Sequence, residues 1–229
     1  MILERKPRFE LPEQNERSGD VFQLLQVDNP RESLRGLAEL MQVYNAAMKE
    51  ISTKLEVLDD EFHIHHSHNP IHHLECRIKG IQSIFEKMRR YDVPFSLDSA
   101  RERVHDIAGI RVICNYIDDI YVVESLLIQQ PDITLVKRKD YIERPKENGY
   151  RSLHLVVKVP VFLSEKTELV PVEIQLRTIA MDYWASLEHM LRYKNNSDMA
   201  EYASTLLECA NTLADTEKAM QQIRMRIET

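Results

Sequence analysis

Two alternating runs decide the fold: LHLVVKV at residues 153–159 and PVEIQLR at residues 171–177. Apolar and polar side chains take turns in both runs, which is typical of strands that bury one face and leave the other open. In the second run the polar positions are Glu173, Gln175 and Arg177, so all three share one face. We therefore expect two strands of one sheet that present a carboxylate on a polar face.

A basic, polar segment leads into the first of these runs. It contains KRKDY at residues 137–141 and KENGYRS at residues 146–152. Tyr150, which we predict to be exposed, lies among these cations. Because cations bind phosphate and aromatic rings stack on nucleobases, the stretch from Lys137 to Arg177 indicates a nucleotide site.

The remaining chain predicts an α+β fold with one mixed sheet of about five strands. A long helix is expected from Ser33 to about Phe62, because apolar residues recur there at spacings of three and four. A further helix, capped by Asp118, is expected to bury Val122. The other strands are predicted over residues 74–79, 106–116 and 133–141, and the other helices over residues 81–91, 179–193 and 198–227.

These elements divide the chain into four parts. We expect residues 1–31 to form a loose arm with at most one short helix around Val21–Leu25, and residues 32–69 to form the long helix with a histidine-rich turn. Residues 70–195 form the central domain, and residues 196–229 form a C-terminal helix. The heptad stripes at 34–58 and 199–227 are open to two interpretations, packing within the chain or contacts between subunits.

Composition limits the partners of the chain. The net charge is −7 and the isoelectric point is near 5.7, which argues against a general nucleic-acid coat protein but allows a local basic pocket. We predict no membrane segment and no DNA binding, whereas binding of single-stranded RNA is left open, without an observation that supports it.

The cysteines and the N-terminus bear on the compartment. Cys76, Cys114 and Cys209 are expected to be buried free thiols in a reducing compartment. The N-terminus lacks a signal-peptide core, so we expect a cytoplasmic protein.

Two carboxylates are the candidates for metal chemistry. Asp106 begins one apolar strand, and Glu173 lies in the middle of another. Carboxylates on neighbouring strands suit a magnesium–polyphosphate site, because magnesium takes one or two carboxylates together with substrate phosphates. The alternative is that each carboxylate is ion-paired to Arg111 or Arg177 and is only structural.

Two basic groups are the candidates for phosphate binding. The first lies along a strand–glycine–helix unit, and the second on and after the strand that precedes Tyr150. The alternative for both is a solvated charged face. The first group comprises Arg77, Lys79, Ser83, Lys87 and Arg90, and the second comprises Arg138, Lys139, Lys146 and Arg151.

The histidine-dense segment from His63 to His73 invites a comparison with zinc sites. The spacing is irregular, no cysteine joins it, and Pro70 breaks any helical face, so we do not expect a specific structural zinc site. Incidental or inhibitory binding of divalent metals stays open.

At this point the chain resembles the RelA/SpoT-homologous (p)ppGpp synthetases, in particular the small single-domain alarmone synthetases. The resemblance covers about residues 70–195 in the order and spacing of that family. The histidine-rich lead-in and PKENG at residues 145–149 resemble the RelP branch. The segments are residues 77–90, DIAGIR at 106–111, RKDY at 138–141, KENGYRSLH at 146–154, VEIQLRT at 172–178 and WASLEH at 184–189.

The resemblance implies a nucleotidyltransferase-like fold and transfer of the β,γ-diphosphate of ATP to the 3′-OH of GDP or GTP, giving AMP and ppGpp or pppGpp. Asp106 would be the principal magnesium ligand, and Glu173 would assist the metal and act as general base. ATP would be held by Arg77, Lys79, Ser83, Lys87 and Arg90. The acceptor would be held by Tyr150, Lys146, Arg138 and His154, with Gln175, Asp182 and Glu188 lining or supporting its site.

The resemblance also bears on assembly and on rival functions. Only about 70 residues precede the synthetase segment, too few for the hydrolase domain of longer family members, so we expect synthesis without hydrolysis. The family tendency favours a homotetramer. The rival interpretations are a catalytically silent nucleotide- or RNA-binding regulator on the same scaffold and a polymerase-β-type nucleotidyltransferase, which the missing Gly-Ser turn and DxD pair disfavour.

Overall fold

A mixed five-stranded sheet lies at the centre of the computed structural model, which describes residues 30–93, 96–194 and 199–227. The order across the sheet is β1-β2-β5-β4-β3; β2 and β5 run parallel, and the other neighbours run antiparallel. The α+β prediction with one such sheet is confirmed. The strands are β1 (Ile71–Ile78), β2 (Ala108–Cys114), β3 (Thr134–Asp140), β4 (Leu153–Phe162) and β5 (Thr167–Thr178).

Helices pack against one face of the sheet and against each other. The first of them, α1, packs against four of the strands, and the last, α6, packs against α5 and α4. The described helices are α1 (Pro30–His65), α2 (Ile81–Arg90), α3 (Leu97–Arg103), α4 (Ile117–Ile128), α5 (Ile179–Lys194) and α6 (Ala203–Ile227), with a 3₁₀ turn at Met199–Tyr202 before α6.

The apolar stripe of α1 belongs to the main core. Tyr44, Ile51 and Leu55 are buried in one hydrophobic cluster with the apolar positions of the strands. For this stripe, packing within the chain is therefore the correct interpretation. Removing that much apolar surface from water is the main stabilising contribution, at about 25 cal/mol per Å².

Only one face of the sheet is covered in this way. In β4 the buried residues Leu153, Leu155 and Val157 alternate with the half-buried His154, and Val172, Ile174 and Leu176 of β5 are likewise fully buried. The alternate positions of β5 carry Glu173 and Gln175 toward the opposite side, as their spacing predicted. We call that side the open face.

Several predicted boundaries and burials need correction. The long helix already includes residues 30 and 31 and continues to His65 instead of ending by Phe62. The helix after β2 begins at Ile117, so Asp118 is not its N-cap; the Tyr116 N–H donates to Asp119 at 2.9 Å instead. Val122 is 43% exposed because it lies on the solvent side of α4. The helix predicted around Val21–Leu25 lies outside the described residues.

The C-terminal helix buries only part of the predicted face. Its heptad residues Leu206 and Leu213 are half-buried against the cluster that contains Trp184, but Met220 and Ile223 are about half exposed.

The fully buried residues of this helix are small. Ala210 and Ala214 are buried, because small side chains allow α6 to approach its neighbours closely. Cys209, expected to be a buried thiol, is exposed.

The described helices were compared with the length and hydropathy that a membrane span requires. Over residues 30–93, 96–194 and 199–227, no helix combines the length and the apolar character that crossing a bilayer requires.

Candidate functional site

The open face of the sheet carries several of the predicted site residues in two rows. Residues that pair across neighbouring strands point to the same face. One row is Arg77, Gly109 and Glu173. The next row is Glu75, Arg111, Gln175, His154 and Lys139.

A cleft of about 200 Å³ lies over β1, β2 and β5 on this face. Asp106 and Glu173, which are far apart in sequence, both line it, so the two candidate carboxylates share one cavity. The lining also includes Arg77, Lys79, Arg111 and Gln175. Among these, Arg111 was considered before only as an ion-pair partner, although its position in DIAGIR offered a signal for a role at the site.

Asp106 is held between two lysines. Its Oδ2 accepts from Lys79 Nζ at 2.5 Å and lies 2.6 Å from Lys87 Nζ on α2. Burial alone would raise the pKa of Asp106, but the two ammonium groups outweigh it and hold this pKa below its ordinary value. Burial likewise lowers the pKa of Lys87, and the Asp106 carboxylate more than restores it. Asp106 and Lys87 are therefore both charged at neutral pH.

The second oxygen of this carboxylate is differently placed. Asp106 Oδ1 is buried and has no hydrogen-bond partner among the described residues. A buried acceptor without a donor is costly, and such an oxygen suits a cation. Within the same described ranges no three His, Cys, Asp or Glu side chains form a metal-binding group, so a cation here would need ligands from a bound molecule.

Glu173 lies between this cleft and an aromatic cluster. Gln175 Nε2 donates to Glu173 Oε2 at 2.9 Å, and His154 Nδ1 lies 3.8 Å from Glu173 Oε1. Burial would raise the pKa of Glu173, but His154 and Gln175 keep it below its ordinary value. The alternative in which the two carboxylates are ion-paired to Arg111 or Arg177 is wrong about the partners. Arg111 pairs with Glu75 and Asp182, and Arg177 pairs with Asp182.

The aromatic cluster surrounds Tyr150. The Tyr150 hydroxyl lies 2.8 Å from His154 Nε2 and accepts from Arg177 at 2.8 Å. The Lys146 ammonium lies 4.7 Å from the ring centres of both Tyr141 and Tyr150. Tyr150 is therefore half-buried, not exposed as predicted, and a cation already lies beside its ring.

Arg177 and Tyr141 are functional candidates that the sequence reasoning left without a role. Arg177 is buried and donates to Tyr150, Gln175 and Asp182 at 2.8, 2.9 and 2.9 Å. It thereby connects the aromatic cluster to Gln175, which in turn donates to Glu173. Its alternation with Glu173 and Gln175 in PVEIQLR was the available signal.

Two members of the second basic group, Arg138 and Arg151, do not point to the open face. Arg138 pairs with the buried Leu155 on the covered face and donates to Glu124 of α4 at 2.6 and 3.0 Å. Arg151 turns toward α6. The structure thus contradicts the expectation that Arg138 reaches acceptor phosphates, because strand alternation directs Lys139 to the open face instead.

The remaining predicted residues lie at the margins of the site. On α2, Ser83 is half-buried one turn before Lys87, and Arg90 is exposed. Asp182, in the first turn of α5, holds both Arg177 and Arg111, at 2.9 and 3.3 Å. Glu188 accepts a long hydrogen bond of 3.4 Å from Asn148.

The histidine-rich segment forms a separate network with the C-terminal helix. His68 Nε2 contacts Asp119 at 2.8 and 2.9 Å, and Arg224 of α6 reaches both Asp119 and Asp118. This network lies at the start of α4 and ties α6 to it. It gives His68 a structural partner in the described part of the chain.

Comparisons with known proteins agree on one family. The sequence profile described as "Region found in RelA / SpoT proteins" matches residues 76–198. GTP pyrophosphokinase YwaC of Bacillus subtilis is 45% identical over 172 residues, which is 75% of this chain and 82% of that protein. GTP pyrophosphokinase YjbM of the same organism is 37% identical over 186 residues, or 81% of this chain and 87% of that protein.

Solved structures show the same similarity in three dimensions. Small alarmone synthetase 1 from Bacillus subtilis, bound to its product pppGpp, superimposes with a TM-score of 0.76 at 35% identity, covering 85% of this chain and 100% of that one. Small alarmone synthetase 2 from the same organism gives a TM-score of 0.73 at 42% identity, covering 81% and 97%.

Proposed function

The chain belongs to the RelA/SpoT family, and from that premise we propose that it is a GTP diphosphokinase. It transfers the β,γ-diphosphate of ATP to the ribose 3′-OH of GDP or GTP and forms AMP together with ppGpp or pppGpp, as part of the stringent response. The observation that carries the proposal is the position of Glu173. It lines the cleft together with Asp106 and Lys79, and it also contacts His154 of the aromatic cluster.

The cleft over β1, β2 and β5 is the donor half. Lys79, Lys87 and Arg77 place positive charge around it, and this charge would align and neutralise the ATP phosphates. Ser83 and Arg90 follow along the same helix at the margin. In the free protein Asp106 neutralises both lysines, so binding of a polyphosphate exchanges one anionic partner for another.

The aromatic cluster is the acceptor half. Tyr150 offers a ring for guanine, and its hydroxyl is held by His154 and Arg177. Lys146 lies beside the Tyr150 ring and Lys139 beside the Tyr141 ring, and both would hold the acceptor's phosphates. Gln175 and Asp182 fix Arg177 from the other side.

Glu173 is placed to act on the acceptor hydroxyl at the junction of the two halves. Its low pKa keeps it ionised near neutral pH, as a proton acceptor or cation ligand must be. A carboxylate with a low pKa is a weak base, so the 3′-OH must become more acidic in the complex. We propose Asp106 and Glu173 as the protein ligands of magnesium, which would supply that acidification and neutralise phosphate charge when bound.

The direct test is an assay of the purified protein with ATP, GDP and magnesium, followed by anion-exchange chromatography. We expect AMP and guanosine tetraphosphate in equal amounts, and no AMP when GDP is left out. AMP without a guanosine product would indicate hydrolysis of ATP and contradict the proposal. Nucleotide binding without any product would favour the silent-regulator alternative.

Finer assignments are also proposals. We propose a homotetramer acting in the cytoplasm, with synthetase but no hydrolase activity, in the RelP-like branch that residues 145–149 resemble. The exposed apolar residues Tyr183, Met190, Met220 and Ile223 on α5 and α6 support self-association. Light scattering after size exclusion should give about four times the chain mass of 26.9 kDa.

Replacing Tyr150 with alanine is expected to weaken binding of the acceptor nucleotide and to leave binding of ATP unchanged. Stacking of a base on an aromatic ring contributes about 1–3 kcal/mol, and about 1.4 kcal/mol is tenfold in affinity, so the KM for GDP should rise by roughly 5- to 150-fold. The KM for ATP should change by less than about twofold. Steady-state kinetics with each substrate varied in turn make the measurement.

The matched control is Tyr150→Phe. It keeps the ring but removes the hydroxyl that meets His154 and Arg177. If stacking dominates, this variant should retain most of the GDP affinity that the alanine variant loses. An unchanged KM for GDP in Tyr150→Ala would remove Tyr150 from the acceptor site.

A further inference from the structure

The loop that carries Tyr150 is packed directly against the C-terminal helix. We call residues 146–150 the acceptor loop. At its centre Gly149 is buried with φ +88°, and its N–H donates to the Lys146 carbonyl at 2.8 Å. A Cβ at this position would lie 2.6 Å from Ala210 Cβ and 3.2 Å from Leu207 Cδ1, both on α6. Glycine is therefore required both by the backbone angle and by the closeness of α6.

Arg151, the residue after the loop, joins the two elements by hydrogen bonds. Its Nη1 donates to the Gly149 carbonyl at 3.1 Å and to the Ala210 carbonyl at 3.2 Å, and its Nη2 donates to Asn211 Oδ1 at 3.1 Å. One planar guanidinium thus holds the loop backbone and the α6 backbone at the same time. A lysine ammonium lacks this fixed fork of donors.

Other contacts keep α6 in place at this position. Trp184 Nε1 of α5 donates to the Leu206 carbonyl at 2.9 Å, and the Thr178 hydroxyl at the end of β5 bonds to Glu217. Tyr150 packs against the small cluster formed by Trp184, Ala185 and Ala210. The surface that supports the acceptor loop is therefore supplied by α5 and α6, more than thirty residues later in the chain.

We propose that Arg151 is a positioning residue for the acceptor, which fastens the acceptor loop to α6 so that Tyr150 and Lys146 are already placed when the guanosine nucleotide binds. The inference rests on the proposed function, and it adds a second layer to the acceptor site. Holding a binding loop in its bound position lowers the conformational entropy that binding must remove, so loss of Arg151 acts on acceptor affinity. Among the described residues, none of those that line the donor cleft takes part in the hydrogen bonds of Arg151.

The test compares Arg151→Ala with the wild type in kinetics and in direct titration with GDP and with a non-hydrolysable ATP analogue. We expect the KM and Kd for GDP to rise by about tenfold, because the nucleotide must then order the loop that the three hydrogen bonds of Arg151 otherwise hold. The ATP values and kcat at saturating GDP should stay within about threefold. Arg151→Lys should recover part of the loss.

Two further variants guard against a trivial result. Lys218→Ala, on the exposed side of α6, should leave both affinities unchanged. Asn211→Ala removes only one of the three contacts at an exposed position, and it should raise the Kd for GDP by about two- to fivefold even if Arg151→Ala fails to fold. Equal losses for GDP and ATP would indicate a general structural role and overturn the inference.

The result also separates this inference from the proposed function. A wild-type protein that binds GDP but forms no product would refute the proposed function. The ratio of the Kd for GDP between Arg151→Ala and the wild type would still test the role of Arg151. A ratio near one in Arg151→Ala and Asn211→Ala refutes the positioning role, whatever the activity of the wild type.

Discussion

Asp106→Asn is expected to lower kcat by about three orders of magnitude while ATP still binds. The substitution preserves shape but removes the negative charge that faces Lys79 and Lys87 and that would attract a cation to the carboxylate. Metal assistance contributes several kcal/mol to such a transfer, and each 1.36 kcal/mol is tenfold in rate. With magnesium chelated, ATP should bind as tightly as to the wild type or more tightly, because two lysines have lost their internal counter-charge.

The matched control is Asp132→Asn, which removes the same charge from a pair with Lys54 away from the cleft. It should keep kcat within about twofold, as surface ion pairs contribute little. A variant Asp106→Asn that turns over at a near-normal rate would remove Asp106 from catalysis. Loss of ATP binding without magnesium would show that Asp106 instead organises the donor cleft.

The same substitution has a pH signature in stability. Because the folded pKa of Asp106 lies below its unfolded value, ionisation favours folding above about pH 4. This contribution is lost as the pH falls through the lower, folded pKa. The stability difference between wild type and Asp106→Asn, measured by urea unfolding, should therefore stay constant from pH 7 to about pH 5 and shrink as the pH falls below about 4.

Glu173→Gln is expected to lower kcat by about 10²- to 10⁴-fold, the range typical of a lost general acid or base. The amide is close in size to the carboxylate and remains near Gln175 and His154, so the fold should be retained. KM values for ATP and GDP should change by less than about threefold, because the group acts mainly in the transition state. Single-turnover measurements with both substrates bound would isolate the chemical step.

Glu168→Gln provides the control on the same strand, since Glu168 pairs with Lys166 at 2.6 Å near the far end of β5. It should behave like the wild type. If Glu173→Gln kept most of its kcat, the general-base role would be wrong. If it instead raised the KM for GDP alone, Glu173 would be a binding residue of the acceptor half.

The alternation of β4 and β5 was sufficient to predict the polar face that carries Glu173, Gln175 and Arg177. The periodicity of α1 was likewise sufficient to predict a buried stripe. Both predictions rest on local geometry, because a strand repeats every two residues and a helix every 3.6. The two carboxylates could also be singled out from sequence, as polar residues inside or beside apolar runs.

The tertiary structure decided which cations of β3 lie on the open face with Glu173. Lys139 and Arg138 are neighbours in sequence, and only the pairing of β3 with β4 shows that Lys139 lies beside His154 and Arg138 beside Leu155. A shift of one residue in register would exchange their faces. Residue type alone could not choose between them.

The support of the acceptor loop likewise depended on contacts distant in sequence. Heptad spacing pointed to the large apolar residues of α6, of which Leu206 and Leu213 pack inward, but it missed the buried Ala210 and Ala214. Arg151 reaches Asn211 of the same helix. Periodicity records which residues share a side of a helix, but it carries no information about the element on that side. The sequence by itself therefore determined the sheet, its open face and the two carboxylates. Only the tertiary structure decided that Lys79 and Lys87 hold Asp106 and that α6 supports Tyr150, because both depend on packing between elements that the chain separates.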